Sequence, residues 1–123
     1  MQRRIASPEF FPAELRTLFD ELTGPGSDRW GLEAAILIAR QRKRTRRSPT
    51  FAELFAAVLS HPDLSGKVAD VDWATLSGFV YSFRHHVAVH WRRRGWIAWS
   101  NRPRSLHGGL AFSRASRSWH PRR

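Results

Sequence analysis

The chain has 123 residues, enough for one domain with its own core, and its 41% apolar and 12% aromatic content is that of a folding sequence. It has no cysteine, which excludes disulfide frameworks, thiolate zinc sites and cysteine nucleophiles, and its longest apolar run (34–39) is too short to cross a bilayer. The formal charge is +11 and segregated: all ten carboxylates lie between Glu9 and Asp72, while 73–123 carries ten arginines and five histidines.

The first predicted element is a helix over 12–22, with Leu15, Leu18, Phe19 and Leu22 continuing a face begun by Phe11 and Gly24-Pro25-Gly26 as its stop. Ser27 or Asp28 can cap the next helix, whose stripe is Trp30, Ala34, Leu37 and Ile38. That helix enters "RQRKRTRR" at 40–47, six basic residues in eight. Thr50 and Glu53 have the spacing of a capping box, followed by a buried face of Phe51, Leu54, Phe55 and Val58 and a stop at His61-Pro62. The connection over 60–71 is long for helices that pack as a pair; it either holds a short extra element or joins a different pair.

A third domain helix is expected over 72–94, capped by Asp72, with Trp73, Leu76, Val80, Phe83, Val87 and Trp91 on its apolar stripe. The opposite face gathers Thr75, Gly78, Ser82, His85, Val89 and Arg93, flanked by Tyr81, His86 and Arg92. Gly95 ends it. The period then changes from 3.6 to 2, so that 96–100 and 110–113 read as two strands around the turn-rich "NRPRSLHGG". A basic Ser/Arg tail over 115–123 is expected to be mobile.

Three helices followed by a hairpin with a basic tip, and above all "SFRHHVAVHWRRRGWIAWSNRPRSLHGGLAFS", resemble the winged helix-turn-helix superfamily over about 28–114. The resemblance implies a mainly α fold with a small antiparallel β-hairpin (α+β), here with an extra N-terminal helix and linker in 1–27. It implies a third helix in the major groove of double-stranded DNA and a hairpin tip on backbone or minor groove. It makes Ser77, Tyr81, Ser82, His85 and Val89 the groove-facing positions. Hydroxyls and imidazoles suit base edges, and Val89 suits a thymine methyl.

Phosphate contacts are expected from Arg92 and Arg93, from Arg102 and Arg104 either side of Pro103, and from Arg40, Arg42, Lys43, Arg44, Arg46 and Arg47. Ser48 and Thr50 open a helix whose free N–H groups favour an anion. Arg94, by its helical angle, turns towards the apolar stripe. Arginine dominates the basic set, which fits bidentate phosphate contacts or a GC-rich genome equally.

His86 and His90, four apart, have a zinc-helix spacing, but no Glu follows the first and no acid exists beyond Asp72; a third ligand would be His107, His120 or an N-terminal residue. No metal, cofactor or catalytic site is therefore expected, and His90 reads as a core-edge histidine. Trp73, Trp91 and Trp96 read as core; Trp99 and Trp119 are freer and suit stacking on an unpaired base.

The expectation is a non-enzymatic, cytoplasmic, nucleoid-associated DNA-binding protein, a small transcription regulator or phage- or plasmid-type repressor. The competing reading is a structural subunit of a ribonucleoprotein, with RNA as the ligand. The first helix packs on its own domain or pairs two copies in a homodimer.

Overall fold

A computed structural model describes residues 4–26 and 28–119, with side chains described as far as Ser116. Ser27, His120 and the Trp119 side chain, each given a role above, lie outside what is described. Among the described residues the fold is mainly helical with one two-stranded antiparallel sheet, as expected at the level of fold class. The helices are α1 (Ala13–Thr23), α2 (Asp28–Thr45), α3 (Phe51–Val58), α4 (Ser65–Ala69), α5 (Val80–Arg93) and α6 (Leu110–Trp119). The strands are β1 (Ile97–Ala98) and β2 (His107–Gly108).

One core joins all of this. Leu15, Leu18 and Leu22 of α1 meet Trp30, Ala34, Ala35 and Ile38 of α2, Leu54, Phe55 and Val58 of α3, and Phe83, Val87, Ala88 and Trp91 of α5. The α1 face is thus spent inside the chain's own domain, since α1 packs on α4, α5 and α2. Trp91 sits at the centre. Its ring stacks on Phe55, 5.5 Å between centroids and 9° between planes, and its Nε1–H donates to the Leu22 carbonyl at 2.9 Å. Burying an indole while satisfying its one donor makes this contact favourable in both apolar and polar terms.

The expected capping box of α3 forms as spaced. Glu53 N–H donates to Thr50 Oγ1 at 3.1 Å, and Thr50 N–H donates to the Glu53 carboxylate at 2.8 Å. The 60–71 connection holds an extra element: a 3-10 turn (Pro62–Leu64) running into α4, anchored by Leu64 and Val71, both buried.

Several expectations need correction. The helix expected over 72–94 begins only at Val80. Asp72 Oδ atoms accept from Thr75 N–H and Oγ1–H, holding 72–75 as a turn, and a 3-10 turn (Ser77–Phe79) follows. Short polar side chains that bond nearby backbone compete with the helix, and Gly78 weakens it further. Trp73 is accordingly only partly buried, as is Trp96.

The strand expected over 110–113 is helical, part of α6, which runs on to Trp119. Ala111, Phe112, Ala115 and Ser116 are half-buried while Ser113 and Arg114 are exposed, a helical repeat that four residues alone do not reveal. The hairpin is correspondingly smaller than expected, with Ile97 opposite Gly108 and Ala98 opposite His107.

Candidate nucleic-acid interface

The positions expected to read a groove do not share one face. Ser82 is buried and its Oγ accepts from the Ala6 N–H at 2.8 Å. Next to it His86 Nε2 donates to the Ala6 carbonyl at 2.8 Å. The N-terminal segment thus lies along this side of α5, and Ser82 does not face outward. The helical wheel placed it correctly on the helix but could not show which segment would cover that face.

Tyr81, His85 and Val89 share the other side. Tyr81 is 43% exposed, and its ring stacks on His85 with centroids 6.4 Å apart. Burial, and then the neighbouring His86, lower the His85 pKa and so favour the neutral imidazole. Ser77 is exposed on the 3-10 turn that leads into α5 rather than on the helix.

This face is concave. Tyr81, Arg84, His85, Ala88, Val89 and Arg92 of α5 form one wall of a cleft of about 400 Å³, closed by Phe51 at the start of α3 and by Trp99 just beyond β1. Phe51 and Trp99 meet edge to face at 5.1 Å, and the Arg92 guanidinium lies 4.4 Å over the Trp99 ring. No carboxylate lines it. Phe51 and Arg84 were missed as site residues; the 81, 84, 88, 92 spacing along α5 was the available signal for Arg84, whereas Phe51 looked like ordinary core.

The arginines around the hairpin also divide. Arg102 is exposed, whereas Arg104 folds back: Nη1 donates to the Ser48 carbonyl at 3.0 Å and lies 3.1 Å from Glu53 Oε1. Ser48 is buried and its Oγ–H donates to the Leu106 carbonyl at 2.7 Å. Thr50 is committed to the capping box, and its helix end already holds the Glu53 carboxylate. Ser48, Glu53 and Arg104 therefore pin the hairpin loop to the start of α3, and with Thr50 held in the cap none of Ser48, Thr50 and Arg104 stands open to an anion.

Arg42, Lys43 and Arg44 belong to the last turn of α2, where cations complement the helix dipole, and Arg46, in the left-handed region at φ 60°, ends the helix. Arg40, Arg42, Lys43, Arg44, Arg46 and Arg47 are all exposed, as are Arg92 and Arg93. None has a carboxylate partner among the described residues; the ion pairs there use Arg16, Arg29, Lys67, Arg94 and Arg104. Arg94 turns to Asp28, whose carboxylate also accepts from Trp96 Nε1–H. Those two hydrogen bonds, with Arg94's the larger effect, lower the Asp28 pKa to about 2.

Among the described residues no three of His, Cys, Asp and Glu come together as a metal-holding group, and no helix is long and apolar enough to cross a membrane. No family model, curated protein or solved structure matches the chain.

Proposed function

We propose that this chain binds nucleic acid, double-stranded DNA in the first instance, with the outer face of α5 as the reader and the end of α2 as a phosphate grip. The observation that carries the proposal is the separation between paired and unpaired cations. Arg94 and Arg104 are consumed in holding the fold, while Arg92, Arg93, Arg102 and the 40–47 run are exposed with no carboxylate partner among the described residues. Like charges this dense repel one another, and phosphate neutralisation with counterion release is the physical relief that suits them.

The three segments are connected through the start of α3. Arg40 and Arg44 border a groove with Pro49 and Glu53, Glu53 holds Arg104 of the hairpin loop, and Phe51 and Trp99 lead to Arg92. The winged-helix resemblance supports the same reading in outline, since an antiparallel hairpin follows α5. On this reading the chain is a sequence-specific regulator or a phage- or plasmid-type repressor in the nucleoid. The roles then fall to Tyr81, His85 and Val89 at bases and to the arginines at phosphates.

The test is a binding titration of a selected duplex, a scrambled duplex and an RNA hairpin at several salt concentrations. Preference for the selected duplex, with affinity falling steeply as salt rises, is the expected result. Equal affinity for all three would remove the sequence-specific regulator and leave a ribonucleoprotein or general backbone-binding role; absence of binding at low salt would remove the reading altogether.

A further inference from the structure

We infer that the cleft between α5, Phe51 and Trp99 receives a single unstacked nucleobase, with the adjoining phosphates on Arg84 and Arg92. The inference rests on the nucleic-acid reading above and revises how this face of α5 meets a base, one base drawn into the cleft in place of base pairs read in the groove.

A helix that reads intact base pairs does so by protruding into the groove. The outer face of α5 is instead walled by two rings from elsewhere in the chain, leaving a cleft of about 400 Å³. That volume falls within the range of small-molecule sites and suits a planar heterocycle with part of its sugar. The walls are aromatic or apolar: Tyr81 stacked with His85 on one side, Trp99 and Phe51 on the other, Ala88 and Val89 between. Aromatic walls offer π-faces to any base and need no particular sequence.

Charge selects among occupants. An apolar side chain from a protein partner would fit the walls, but the cleft is bordered by two arginines, a histidine and the Tyr81 hydroxyl, with no carboxylate among the described residues that line it. The Arg92 guanidinium already sits over the Trp99 ring, its Cζ 4.4 Å from the centroid, so a cation and an aromatic ring stand together at the mouth. Aromatic walls with an arginine rim are complementary to a base and its phosphates, and a base enters the cleft only when taken out of its stack.

The experiment compares a blunt duplex with the same duplex carrying one extrahelical adenosine, and reads the ratio of the two affinities. We expect the wild-type chain to favour the bulged duplex by at least about tenfold, the scale of one base stacked on an aromatic side chain. Trp99→Ala should bring that ratio near one, and Trp99→Phe should keep most of it. Should Trp99→Ala not fold, Val89→Trp, which fills the cleft without deleting a wall, should collapse the ratio in its place.

Equal affinity of the wild type for both duplexes overturns the base pocket while leaving nucleic-acid binding intact. A preference that survives both Trp99→Ala and Val89→Trp overturns it too, because the bulge is then recognised elsewhere. No binding to either duplex at low salt removes the parent reading and this one with it. Trp99-dependent capture of an acidic, aromatic-bearing peptide, with no such dependence for nucleic acid, would assign the cleft to a protein partner.

Discussion

Ser82 and His85 are three residues apart on α5 and carry opposite duties. Ser82 Oγ holds the Ala6 N–H and His86 holds the Ala6 carbonyl, so the two side chains fix one peptide strap against the helix. Ser82→Ala leaves a part-buried N–H without its acceptor and should cost about 1 kcal/mol of stability. It should not change which nucleic-acid sequence is preferred. His85→Ala removes an imidazole from the cleft wall and should alter base preference with little effect on stability. Urea unfolding and a selection on randomised duplexes, run on both variants, separate these outcomes; a shifted preference in Ser82→Ala would mean that the strap opens in the complex. Trp91→Ala belongs to a different class. It loses the Phe55 stack and the Leu22 hydrogen bond from the middle of the core, and a cost of about 3–5 kcal/mol is expected, a large share of the roughly 5–15 kcal/mol that holds an ordinary domain folded.

At the scale of elements, the parts legible in the sequence were those whose period ran through several turns or whose ends carried a cap. The leucines of α1, the α2 stripe and the α3 capping box were all read from spacing alone. The errors arose where the window was short or where local side-chain bonding competed. Four residues, "LAFS", alternate well enough to resemble a strand, and only the repeat at Ala115 and Ser116 shows α6. Asp72 has the chemistry of a cap, but it closes a turn with Thr75 and the helix waits until Val80. The joint that follows α5 is equally invisible to periodicity. Gly95 has φ 82°, and a Cβ at Gly109 would lie 2.3 Å from the Gly95 carbonyl oxygen, which accepts the Ala111 N–H. Gly109→Ala must therefore push two backbone segments apart, and we expect a loss of several kcal/mol, read as a large drop in the urea midpoint.

The same joint is tied electrostatically by Asp28, which holds both Arg94 and Trp96 at the start of α2. Its pKa is about 2 in the fold against an ordinary 3.8, so folding favours the carboxylate. That contribution is complete above pH 4 and is lost as pH falls from about 4 to 2. The pair is about half exposed, so screening limits it to about 1 kcal/mol. Asp28→Asn should lower stability at pH 7 and flatten the acid limb of the stability curve below pH 4. An unchanged limb would mean that the pair is broken in solution.

Across the whole molecule, charge segregation was legible before any fold was, because a stretch of 51 residues without a carboxylate side chain (73–123) needs no structure to be noticed. The division of labour among the arginines was not legible. Whether a given guanidinium meets Asp28, Glu53 or solvent depends on contacts between segments far apart in the chain, and sequence spacing is silent on those. That division yields the most direct test of the proposed function. Each cation that meets a phosphate contributes about 0.9 to the slope of log affinity against log salt on duplex DNA. Replacing Arg42, Lys43 and Arg46 together by Gln removes three exposed cations that make no ion pair among the described residues, so the fold should be little affected. If the end of α2 grips the backbone, the slope should fall by about 2 to 3, and specific and scrambled duplexes should weaken alike. Arg104→Gln should do the reverse. It should lower stability by freeing the hairpin loop from Ser48 and Glu53, and leave the salt slope where it was, because that guanidinium is already neutralised within the fold. An unchanged slope in the triple variant would take the 40–47 run out of the interface and leave α5 and the hairpin to hold the ligand alone.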